Sequence, residues 1–267
     1  MAPDFAILIP ARHASSRYPG KPLALLRGAG GEACSLIERS WRAAGQVAPA
    51  ERVWVATDDA RIADAVTAFG GQVVMTPASC RNGTERCAAA LDVLGDVAPI
   101  IVNLQGDAPL TPAFVVADLV AALAADPTAA MATPAVECSA SLYTHLIEDQ
   151  ANGRVGGTTV VGGAAGQALY FSKRVIPHQP ANAADAHQAV RLHLGVYAYR
   201  PSALRAYAAL EPTPLELCEG LEQLRFLESG QRVRLVNLPA LDWDCIELNN
   251  PQDVPAIEAV LRLRGIR

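Results

Sequence analysis

The amino-terminal half of the chain repeats one unit: a short uninterrupted apolar run, then a longer stretch with apolar residues at helical spacing. Residues 5–9, 52–56, 73–76 and 100–104 are the apolar runs. Runs without polar alternation suit strands covered on both faces. Between them, Leu36, Ile37, Ser40, Trp41 and Ala44 keep a helical period. Thr57-Asp58-Asp59 offers a cap for a helix that stops at Gly70-Gly71, and Asn82-Gly83-Thr84 opens one that closes near Gly95. Thr111-Pro112 starts a fourth helix that runs to Ala125. This order predicts an α/β fold: a mostly parallel, doubly wound, Rossmann-like sheet with helices on both faces. Ligands of such sheets sit at the carboxyl edge of the strands, where the polar loops 10–21, 57–59, 76–86 and 105–110 emerge.

After Asp126 the rhythm changes. Strands are predicted over 129–136, 168–171, 193–199 and 232–236, with a glycine-rich hairpin within 152–166. An amphipathic helix is predicted over 214–228 and a last helix from Pro251 to Arg264. No linker or repeat divides the chain, so 1–267 reads as a single domain, with residues 129–200 as an inserted smaller lobe.

With 267 residues, 51% hydrophobic and 18% charged, the chain has ample material for a core. Lys plus Arg total 22 against 27 acidic residues, a net charge of −5, which argues against a broad basic face for nucleic acid. No apolar run reaches the roughly 18–20 residues that cross a bilayer. The start, with Pro10 and no basic region before it, does not read as a secretory signal. The six cysteines are scattered without a C-x-x-C pair, which favours buried thiols over zinc or redox sites and a reducing, cytoplasmic setting.

The loop after the first strand carries Arg12, Arg17 and Lys21 around a Pro19-Gly20 turn. Cations plus free backbone N–H groups suit a polyphosphate, although a solvated basic loop has the same composition. The spacing matches neither the dinucleotide fingerprint nor the P-loop, which counts against an oxidoreductase on this sheet. Gly106 permits a sharp turn that presents Asp107 at the sheet edge, where a carboxylate suits Mg²⁺ or caps a turn. Residues 81–86 open a helix whose N–H groups and Arg86 either bind part of a nucleotide or serve the helix alone.

Taken in order, these segments resemble the sugar-acid cytidylyltransferases, above all the CMP-3-deoxy-manno-octulosonate (CMP-KDO) synthetase family. I-P-A-R-x-x-S-x-R-x-P-G-K-P-L is met over 9–23, V-A-T-D-D-x-R-I over 55–62 and F-G-G-x-V-x-M-T over 69–76. S-G-T-[DE]-R corresponds to 82–86, with Asn82 for serine, and V-N-x-Q-G-D-x-P to 102–109. A-L-Y-F-S-[RK], H-x-G-x-Y-A-Y-R and L-E-x-x-E-x-L-E-Q-L-R follow at 168–173, 193–200 and 215–225.

The resemblance implies a nucleotidyltransferase-type sheet and transfer of CMP from CTP to a small acidic acceptor, with release of pyrophosphate. It implies catalytic roles for Arg12, Lys21 and Asp107. Ala11, Arg12, Arg17, Gly20, Lys21, Asn82, Gly83, Arg86 and Gln105 would bind CTP, and Lys173, His193, Tyr197, Glu222 and Gln223 the acceptor. It implies Mg²⁺ on Asp107 and a homodimer joined through the inserted lobe. By the 3.6 period, one of Glu222 and Gln223 should face solvent.

Departures cluster near metal and acceptor. Asn249 stands where the family has a second metal-binding Asp; its carbonyl oxygen can ligate Mg²⁺ but brings no charge, so Asp242, Asp244 or Glu247 are substitutes to consider. Ala108 replaces a usual Glu, Leu192 stands where a basic residue is common, and residues 28–34 look like an insertion. The acceptor therefore stays open between the octulosonate and a phosphonate such as phosphonoformate. A non-catalytic cytidine-nucleotide binder is the alternative of another class.

Overall fold

The first apolar run becomes strand β1 (Ala6–Ala11), and its continuous hydrophobicity is explained by its place in the sheet. The computed structural model describes residues 3–15, 17–180, 185–243, 245 and 247–267. After β1 comes a small hairpin, β2 (Leu25–Arg27) with β3 (Ala33–Ser35), whose tip is the 28–32 segment expected as part of an insertion. Helix α1 (Leu36–Ala44) starts where Ser35 accepts the Glu38 backbone N–H. Then follow β4 (Val53–Thr57), α2 (Ala60–Ala68), β5 (Gln72–Met75), α3 (Gly83–Leu94), β6 (Ile101–Leu104) and α4 (Ala113–Ala125).

These strands lie in the order β5-β4-β1-β6, and all are parallel to one another. Chain order reverses at β1, which has β4 on one side and β6 on the other. Loops leaving β1 and β6 therefore diverge at the carboxyl edge and open a crevice there. Apolar side chains fill both faces. Ile37, Ile62, Val66, Val115 and Leu119 cover one. Cys87, Ala88 and Leu91 of α3 cover the other, with residues from later helices.

The second half comprises β7 (Met131–Glu137), α5 (Ala140–Ala151), β8 (Thr158–Gly162), β9 (Ala168–Ser172), β10 (Arg191–His193) and β11 (Val196–Tyr199). It ends with α6 (Pro201–Ala208), α7 (Pro214–Glu219), α8 (Leu224–Glu228), β12 (Val233–Leu238) and α9 (Val254–Leu263). Strands β7 to β11, within the segment expected as an inserted lobe, extend the same sheet in the order β6-β11-β7-β10-β8-β9. Their pairings are antiparallel, while β12 returns parallel along β7.

Two expected elements are broken. The strand predicted over 193–199 bends at Leu194-Gly195, so β11 pairs with β6 and β7 while β10 pairs with β7 and β8. The helix predicted over 214–228 stops at Gly220, where φ of +62° ends α7. Glu222 and Gln223 therefore sit in a turn before α8 and escape the helical period. Neither is turned out on a helix face: Gln223 is 2% exposed, and Glu222 is half-buried with both oxygens engaged.

Candidate active site

The crevice at the β1/β6 reversal holds a cavity of about 230 Å³. Its walls come from the loop after β1, the loop after β6, the start of α3 and Asn249. Gly106 makes this approach possible, because a Cβ there would lie 2.9 Å from the Pro10 carbonyl oxygen. Of the residues expected to hold nucleotide, Ala11, Arg12, Arg17, Lys21, Asn82, Gly83, Arg86 and Gln105 line the cavity. Gly20 does not line it. Its φ of +71° turns the loop from behind, with the His13 ring against it.

The cations differ in what they already hold. Lys21 Nζ lies 2.6 Å from Asp107 Oδ2, and Arg17 donates to Asn249 Oδ1 at 2.8 Å. Arg12 is exposed on the rim, with no ion pair among the described residues. Arg86 is 3% exposed and donates to Thr76 Oγ1 at 2.7 Å, with Asp58 at 3.4 Å. Buried in this way, Arg86 fixes the wall as much as it faces the cavity. Asn82 accepts the Glu85 N–H and donates to the Tyr207 hydroxyl, so its side chain is committed to capping α3.

Asp107 Oδ1 is buried with no hydrogen-bond partner. The Leu248 N–H donates to the Asp107 carbonyl at 2.9 Å, which brings the 247–249 segment alongside. Asn249 Nδ2 donates to Glu247 Oε2 at 3.3 Å. Burial, and after it the charge of Asp107, pushes the Glu247 carboxyl up to about 7. Asn249, expected as a metal ligand, instead gives its carbonyl to Arg17. Asp242 is exposed, and Asp244 lies outside the described residues.

The residues expected at the acceptor form a neighbouring cluster rather than walls of this cavity. Gln105 joins the two, donating to Glu222 Oε1 at 3.3 Å. Glu222 Oε2 accepts the Thr84 N–H at 2.9 Å, and its carboxylate sits at the positive end of α3. Burial raises the Glu222 pKa in spite of these bonds. Tyr197 OH donates to Gln223 Oε1 at 3.4 Å, and Lys173 Nζ approaches Gly220.

Sequence reasoning missed the capping role of Glu222, whose partner lies 138 residues away. It also passed over Asn103, fully buried in β6 with its amide unpartnered beside Gly83. A polar residue inside an apolar strand was the available signal.

His193 is 7% exposed, bonded through Nε2 to Thr133 Oγ1 at 2.9 Å and packed edge-on to Phe171. Burial holds its pKa down to about 3, from an ordinary 6.5. The folded chain keeps this ring neutral, whereas the unfolded chain protonates it near pH 6.5. Its contribution is thus complete above pH 6.5 and is lost as pH falls toward 3. Between pH 7.5 and 5.5 this residue is expected to cost about 1 kcal/mol of folding stability. Urea unfolding of wild type and His193→Gln at both pH values checks this. An equal pH-dependent loss in the two proteins would refute it.

The family profile described as Cytidylyltransferase matches residues 6–233. A 3-deoxy-manno-octulosonate cytidylyltransferase of Maricaulis maris is 45% identical over 260 residues, covering 97% of each chain. The enzyme of that name from Syntrophotalea carbinolica is 40% identical over 264 residues, covering 96% of this chain and 97% of its own. Among solved structures, a CMP:2-keto-3-deoxy-manno-octonic acid synthetase complexed with CTP superposes with a TM-score of 0.82 at 33% identity. That alignment covers 97% of this chain and 99% of the other.

Proposed function

The chain belongs to the cytidylyltransferase family, and on that premise we propose that it transfers CMP from CTP to 3-deoxy-manno-octulosonate. The observation that carries this reading is the convergence of Arg12, Arg17 and Lys21 with Asp107 and Gln105 on one cavity at the strand-order reversal. An acceptor hydroxyl oxygen forms the new bond to the α-phosphorus and gives up its proton to solvent, the α–β phosphoanhydride bond breaks, and pyrophosphate carries away the electron pair. The α-phosphoryl group and the leaving group are both anionic, so repulsion of the attacking oxygen and charge build-up on pyrophosphate dominate the barrier.

Arg12 and Lys21 supply positive charge to the triphosphate and to the departing pyrophosphate, with Arg17 alongside. The backbone at Ala11, Asn82 and Gly83, with Arg86 and Gln105, supports the nucleotide. Lys173, His193, Tyr197, Glu222 and Gln223 belong to the acceptor side, with Gln105 linking the two groups. The remaining work is positioning.

The chemistry of the donor set also fits a divalent cation. Asp107 Oδ1 is an orphaned buried oxygen beside a second carboxylate, and Mg²⁺ takes one or two carboxylates with substrate phosphates. Mg²⁺ held by Asp107 would supply further neutralisation of the phosphates. The proposal includes a cytoplasmic homodimer. Leu169, 56% exposed on the outermost strand β9 of the 129–200 segment, supports an interface there. Among the described residues no helix is long and apolar enough to cross a membrane.

Incubation with CTP, Mg²⁺ and either the octulosonate or phosphonoformate, followed by phosphorus NMR, tests the reading. Pyrophosphate and a new CMP ester are expected with the octulosonate. CTP binding without any pyrophosphate release would instead support the non-catalytic binder, and turnover of phosphonoformate alone would move the acceptor.

A further inference from the structure

Asp107 has one oxygen paired with Lys21 and one buried and unpaired, which poses the question of what completes its surroundings. The backbone bond from Leu248 to Asp107 puts two side chains within reach, Glu247 and Asn249. Asn249 is a poor candidate. Its carbonyl oxygen already faces the Arg17 guanidinium at 2.8 Å, and a divalent cation on that oxygen would be repelled by a full positive charge. Its amide nitrogen, which can only donate, points at Glu247.

Glu247 is placed differently. One oxygen accepts from Asn249, and the other lies 3.3 Å from the position a Cβ would take at Gly195. Gln105 Nε2 lies 3.5 Å from that same point, so Glu247 faces the junction where Gln105 connects the nucleotide and acceptor groups. No lysine or arginine forms an ion pair with Glu247 among the described residues. Among the described residues Lys21 is thus the one cation in an ion pair with either carboxylate, and it pairs with Asp107.

We propose that Glu247, with Asp107, holds the divalent cation of the reaction, and that Asn249 is a positioning residue that aims Glu247 while occupying Arg17. This rests on the cytidylyltransferase reading above. It assigns the second carboxylate to residue 247, not to residue 249.

Mn²⁺ serves as the probe, and electron paramagnetic resonance of the free ion counts binding to the full chain, with and without CTP. Glu247→Gln keeps the shape and removes the charge, and it is expected to weaken Mn²⁺ binding about tenfold or more. Asn249→Asp is expected to leave the affinity within about twofold, because Arg17 pairs with the new carboxylate at close range. Unchanged Mn²⁺ affinity in a folded Glu247→Gln protein, while Asp107→Asn loses it, would overturn the proposal. So would a tenfold gain in Asn249→Asp, a measurement that stands even if the first variant fails to fold. Calorimetry of CTP with the wild-type chain reports separately: absence of CTP binding sinks the proposed function, whereas intact CTP binding with either adverse Mn²⁺ result sinks only the role of Glu247.

Discussion

Asp107→Asn is expected to slow pyrophosphate release by about a thousandfold, roughly 4 kcal/mol of transition-state stabilisation. One substitution disturbs two things. The carboxylate is the anionic partner of Lys21 at 2.6 Å, so its neutralisation releases the lysine from its fixed position. It also presents the unpartnered buried oxygen that suits a divalent cation. Asparagine keeps the shape but brings no charge, so cation affinity falls with it. CTP binding in the absence of metal should survive, because the freed Lys21 remains available to phosphate. The measurement is steady-state pyrophosphate release beside CTP calorimetry, and a rate within tenfold of wild type would refute the assignment.

The second large effect lies behind the site. Arg225 is fully buried, donates through Nε and Nη2 to Glu216 at 2.6 Å, and reaches Glu85 at 3.1 Å. Its guanidinium lies 4.0 Å from the Tyr207 ring centroid. Glu85 is in the first turn of α3 and Glu216 is in α7, so one side chain binds the later helices to the helix start that lines the cavity. Arg225→Met leaves the buried Glu216 carboxylate without its cation and Glu85 with Arg81 alone, and a loss of about 3–5 kcal/mol is expected. For a chain of this size that corresponds to roughly 10 °C in Tm. Replacing Glu216 and Glu85 by glutamine in the same protein should recover much of the loss, because the carboxylates are then no longer charged. A melting temperature within about 3 °C of wild type in the single variant would contradict this account.

Much of the parallel half was legible because its signals are local. A strand covered on both faces is apolar along most of its length, and β1, β4 and, apart from Asn103, β6 read that way without knowledge of their partners. The first loop was equally readable, since its cations and turn residues lie within one short segment. What escaped depends on single backbone events or distant partners. The bend at Leu194-Gly195 and the stop at Gly220 each sit inside a pattern that otherwise continues, so hydrophobic period alone runs through them. Glu222 looked like a residue on a helix face. Its situation follows from the Thr84 amide, which no local pattern links to it. Glu247 was readable only as one of three substitutes; what brings its segment alongside Asp107 is the backbone bond from Leu248, across 141 positions, 248 − 107.

The cavity is assembled from both extremes of the chain. Arg17 and Asn249 touch across 232 positions, and β12 must be laid beside β7 before the segment behind it can reach Asp107. A nascent polypeptide emerging from the ribosome therefore presents its basic loop early and stays without the Asn249 wall until residues 247–249 have emerged and docked. Contacts of such long separation form late. Truncation ahead of residue 247 would remove both the partner of Arg17 and the backbone bond to Asp107, and would leave the cavity open on that side.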